Sequence, residues 1–107
     1  MKKHRFGSLE FTVLNAVARL GEEAYGLGIR RDVSELLAHD YSVGAIYTTL
    51  ARLEEQGLLR SSTTAPLPVR GGRSRRQFRL SPAGREALRE SERLAVRMLD
   101  LRKARPA

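Results

Sequence analysis

Leu9, Val13, Ala16, Val17 and Leu20 recur at three- and four-residue intervals, with Ser8 ahead of them and Gly21 behind, which predicts a first helix over 9–20 with an N-cap and a stop. A second helix is expected over 25–38. Its stripe is Leu27, Ile29, Val33, Leu36 and Leu37, and Gly26 and Gly28 weaken its first turn. Ser42 caps a third, over 43–56, in which Ile46, Leu50 and Leu53 stand at i, i+4 and i+7 and Gly57 is the left-handed stop. Period three then gives way to period two. Residues 58–64 are rich in Ser and Thr, 66–75 are punctuated by Pro and Gly, and Gln77-Phe78-Arg79-Leu80 alternates, so two antiparallel strands around a long loop are expected. Ser81-Pro82 opens a fourth helix that nothing interrupts before Pro106, about 24 residues. The expected fold is therefore mainly α: a winged helix-turn-helix of three helices plus a two-stranded β wing, over 7–81, with a long C-terminal helix over 82–105.

The chain has 107 residues and no cysteine, so disulfide scaffolds and Cys-based metal sites are excluded. Apolar runs reach only a few residues, against the ~20 needed to cross a bilayer. Residues 1–7, Met-Lys-Lys-His-Arg-Phe-Gly, lack the apolar stretch of a secretory signal. A cytoplasmic protein outside the membrane is expected. Net charge is +8, unevenly spread: residues 7–59 sum to −4, while 60–79 hold six Arg and no acid. An acid-free cluster of that kind attracts polyanions.

In a helix-turn-helix the third helix buries one stripe and leaves its other face for the major groove. On that free face the spacing places Ser42, Ala45, Thr48, Thr49 and Arg52. Small residues allow close backbone approach, and hydroxyls plus one guanidinium supply contacts to base edges and phosphates. Tyr47 is placed between core edge and phosphate contact. Arg73, Arg75 and Arg76 flank the Gly71-Gly72 tip of the wing, where they suit phosphate or the minor groove. Duplex DNA is the partner these residues point to; the alternative is a winged-helix interaction adaptor or RNA-binding module, gripping an acidic partner through the same loop.

Five blocks resemble one family in order: Gly7-Ser8-Leu9-Glu10-Phe11-Thr12-Val13-Leu14, Ala24-Tyr25-Gly26-Leu27-Gly28-Ile29, Ser42-Val43-Gly44-Ala45-Ile46-Tyr47, Leu50 through Leu59, and Gly71-Gly72-Arg73-Ser74-Arg75-Arg76 through Gly84. Together they resemble the PadR family of bacterial transcriptional regulators. That resemblance implies a dimeric winged-helix repressor on an inverted-repeat operator, with release by a small aromatic or hydrophobic effector in some members. Gly28, Thr48 and Gln77 depart from the family's usual residues.

In the fourth helix Ala87, Ser91, Leu94, Met98 and Leu101 keep the 4-3-4-3 spacing of a coiled-coil seam, widened by Leu88, Ala95 and Leu99. A homodimer through Ala87, Leu94, Met98 and Leu101 is expected, with the interface as the place where a small-molecule effector tunes helix spacing. His4 and His39 are the only histidines, and no nucleophile elbow, Walker A or complete dinucleotide fingerprint occurs. The expectation is a protein with no catalytic residues, metal site or cofactor.

Overall fold

The apolar stripes of the first three helices meet in one core. The computed structural model describes residues 8–64 and 75–104. In order these are α1 (Ser8–Leu20), a 3-10 turn (Gly21–Glu23), α2 (Gly26–Leu37), α3 (Val43–Glu55), β1 (Leu59–Thr63), β2 (Arg76–Leu80) and α4 (Pro82–Ala104). Val13, Leu14 and Val17 of α1 pack with Ile29 and Val33 of α2 and with Ile46, Leu50 and Leu53 of α3. Leu58, Leu59 and Phe78 close the core from the sheet side, and Leu88 from α4. This is the winged helix-turn-helix expected from the pattern.

Local chemistry sets the boundaries. The Ser42 hydroxyl accepts the Ala45 amide at 3.0 Å, satisfying one of the amides that a helix start leaves unpaired. Gly57, at φ 80°, turns the chain out of α3. The Ser81 hydroxyl accepts the Gly84 amide at 3.0 Å while donating to the Gly57 carbonyl at 2.5 Å, so the cap of α4 is also its tie to the end of α3. β1 and β2 pair antiparallel with Leu59 opposite Leu80, Arg60 opposite Arg79 and Ser61 opposite Phe78.

Three expectations are corrected. The second helix begins at Gly26, not Tyr25, because Tyr25 is extended and forms an isolated antiparallel bridge with Gln77, and the Phe78 amide donates to the Ala24 carbonyl at 2.8 Å. Backbone pairing on the edge of β2 holds Tyr25 extended as the N-cap residue, and both glycines stay in the first turn of α2. Leu27 and Leu36 are exposed and do not join the core; Leu27 lies ~200° around the helix from Ile29. Ala87 packs against the chain's own core beside Leu88, so the outward apolar stripe of α4 starts at Leu94 and not at Ala87. The 23 residues of α4 span ~35 Å, and only its first two turns are held by the core.

Candidate nucleic-acid interface

α3 is amphipathic and capped, and its stripe of Ile46, Leu50 and Leu53 is fully buried, so its opposite side is presented outward. Thr48 and Arg52 are exposed there, together with Gly44 and Ala51. Ser42 is exposed, but its hydroxyl is engaged as the cap. Ala45 is half-buried. Thr49 is not on the outward face: it is 4% exposed, and its hydroxyl donates to the Ala45 carbonyl at 2.9 Å. The reason is positional, since Thr49 is three residues after Ile46 and four before Leu53 and shares their side of the helix. A buried hydroxyl that already serves its own helix is not available to a base.

Tyr47 is 41% exposed, and its ring and hydroxyl lie where a Cβ on Gly26 would stand. That close approach explains the glycine at the start of α2. It also joins α3 to the start of α2.

The arginines of the interface are held by neighbours. Arg52 Nη1 donates to Glu10 Oε1 of α1 at 3.5 Å. Arg76 Nη1 donates to the Ser61 hydroxyl at 3.1 Å and sits 3.8 Å from the Glu54 carboxylate. Arg75 stacks on the Tyr25 ring at 4.1 Å, and its backbone is fixed by Thr64 through both amide and carbonyl. Solvent-exposed pairs of this kind are worth at most about 1 kcal/mol, so exchanging an acid for a phosphate is cheap. Arg73 and the Gly71-Gly72 tip lie outside the described residues. The role of Tyr25 was not visible in sequence, because an isolated bridge to a residue 52 positions away leaves no periodic signal.

Asp32 and Glu54 are engaged away from the outward face of α3, whereas Glu10 of α1 is paired with Arg52 on it. Asp32 pairs with Arg19 of α1, and Glu54 is turned toward Ser61 and Arg76. Glu55 lies seven residues after Thr48, on the outward side, so the acid-free part of that face lies N-terminal to Arg52. Helix-turn-helix proteins contact bases from the N-terminal part of this helix, which is the part left free of acid.

A groove of about 880 Å³ runs between α1, the 3-10 turn, β2 and α4, lined among others by Val17, Tyr25, Gln77, Leu88 and Arg89. Beyond it, Leu94, Met98, Leu99 and Leu101 of α4 are exposed. No helix among the described residues is long and apolar enough to cross a membrane.

Comparison with known proteins agrees with this geometry. The model of the transcriptional regulator PadR-like family matches residues 13–90. A transcriptional regulator of Mycobacterium tuberculosis, Rv3488, is 36% identical over 95 residues, covering 87% of this chain and 80% of its own. The crystal structure of a PadR family regulator from Clostridium difficile superposes with a TM-score of 0.70 at 21% identity, covering 89% of this chain and 94% of that one. Bordetella bronchiseptica BpsR, whose DNA binding is regulated by 6-hydroxynicotinic acid, superposes with a TM-score of 0.70 at 17% identity, covering 100% of this chain and 72% of its own.

Proposed function

The chain belongs to the transcriptional regulator PadR-like family, and from that premise we propose that it is a dimeric repressor reading an inverted-repeat operator in duplex DNA. It is a transcriptional regulator and not an enzyme. The observation that carries the finer reading is α3 itself, capped by Ser42, anchored by three buried side chains, and presenting Thr48 and Arg52 outward. Thr48 and Arg52 meet base edges, Tyr47 borders the adjoining backbone, and Arg75 and Arg76, together with Arg73, hold phosphate. Two copies joined along the outward stripe of α4 would set their recognition helices about 34 Å, one DNA turn, or a multiple of that apart.

A small-molecule effector belongs to the same proposal. The Bordetella neighbour's DNA binding is regulated by a small acid, and the groove beside α4, at about 880 Å³, is within the range of ligand sites. Occupancy there would act through α4, the element that sets the spacing of the two recognition helices.

Thr48→Ala and Arg52→Ala are expected to cost roughly 1–3 kcal/mol per base pair read, on the preferred duplex and not on a scrambled one. Anisotropy titrations of both duplexes measure this. An equal loss on the two would remove α3 from sequence reading.

A further inference from the structure

Strand alternation sorts the side chains of the wing onto two faces. Leu59 and Phe78 are buried on one, with Ser61 and Arg76 beside them; Arg60 and Ser62 of β1 stand on the other, with Gln77 and Arg79 of β2. The register sets Arg60 directly opposite Arg79. Side chains so placed have Cβ atoms ~4.5–5.5 Å apart, and like charges there weaken a sheet.

No ion pair among the described residues offsets that repulsion. Arg19, Arg30, Arg52, Arg76, Arg89 and Arg93 each pair with an acid. Arg60 and Arg79 are exposed and have neither an ion pair nor a side-chain hydrogen bond among the described residues. Arg79 itself lines the groove beside α4, together with Glu22, Glu23 and Glu92, none of which forms an ion pair to it. Arg75, at the leading end of β2, extends the same basic run and is held on Tyr25. Each guanidinium is a planar fork of donors suited to the oxygens of a phosphodiester.

On the reading of this chain as a DNA-binding protein, we propose that Arg60 and Arg79 form a further phosphate-binding site on the outer face of the wing, taking backbone phosphates of duplex DNA. The site extends the footprint past the wing arginines already placed. The pair is a cost in the free protein and a gain in the complex, because an anion between the two guanidinium groups turns repulsion into attraction for both.

That asymmetry gives the test. Arg60→Ser and Arg79→Ser, singly and together, are titrated by anisotropy against a mixed-sequence duplex of about three helical turns, roughly 30 base pairs, over a range of salt. Each substitution is expected to make log K against log salt shallower by about 0.9 per protomer. Thermal unfolding without DNA is expected to stay the same or rise. A wild-type salt slope in the double variant overturns the proposal, and so does a fall in melting temperature with no change in slope, which would make the pair structural. Inorganic phosphate at matched ionic strength is expected to leave the melting temperature unmoved; a rise that the double variant loses would make this a small-anion site and overturn its assignment to DNA. Wild-type protein that binds no duplex would instead defeat the DNA-binding reading beneath it.

Discussion

Gly84→Ala is expected to destabilise the fold strongly, lowering the melting temperature by more than ~10 °C. Gly84 is buried in the first turn of α4, and a Cβ there would collide with the carbonyl oxygen and carbon of Leu58. The neighbour is backbone and is pinned: the Leu58 amide donates to the Leu53 carbonyl at 2.9 Å, and the Leu58 carbonyl accepts the Ser81 amide at 3.1 Å. Overpacking against atoms that cannot move costs about 3 kcal/mol, the upper end of its usual range, and each kcal/mol shifts a domain of this size by roughly 4–8 °C. Gly44→Ala is the control, since nothing lies within 4 Å of a Cβ at that exposed position. It is expected to leave stability equal or slightly higher, because alanine suits a helix interior better by ~0.5–1 kcal/mol. Thermal unfolding followed by circular dichroism compares the two. A melting temperature for Gly84→Ala equal to wild type would mean that α4 is not docked on Leu58.

The double substitution Leu94→Glu with Met98→Glu is expected to convert the proposed dimer to a monomer and to reduce affinity for an inverted repeat by 100-fold or more, about the advantage that linking two binding sites confers. Leu94, Met98 and Leu101 are 56%, 58% and 70% exposed. They lie beyond the two turns of α4 that the core holds, so the fold of 8–64 and 75–90 has no stake in them. Two acids at neighbouring seam positions would meet their own copies across a symmetric interface, where unpaired buried charge is strongly disfavoured. Sedimentation reads the mass, thermal unfolding shows that the core persists, and anisotropy reads the DNA affinity. A variant that remains dimeric would place the interface elsewhere on the surface.

The parts of this structure that depend on neighbours in sequence were legible in it. Ser42 and Gly57 act within one turn of where they stand, as does Ser81 in capping α4, and the stripe of Ile46, Leu50 and Leu53 needs only helical geometry to find the core. The misplaced residues depend on contacts made at a distance or on how wide a face is. Tyr25 leaves its helix because β2, some 50 residues later, offers its edge. Thr49 fell within the span counted as outward because a hydroxyl reads as polar, although its angular position lies on the buried side. Ala87 carries seam spacing, yet it packs against the chain's own core. Ala38, at φ 50°, ends α2 in a conformation usually left to glycine, and nothing in its side chain announces that. The wing arginines were visible as a basic, acid-free cluster. Their partners, Tyr25, Ser61 and Glu54, were not, because each belongs to another element.

In the proposed function, α3 and the wing together read a particular duplex. Fluorescence anisotropy of the wild-type protein against duplexes from its own upstream region, and against a scrambled duplex of equal length, at low and at physiological salt, tests it most directly. The account predicts binding that weakens steeply with salt and favours the upstream duplex by at least tenfold, about 1.4 kcal/mol. Affinity that is flat with salt, or no binding to any duplex, would contradict it.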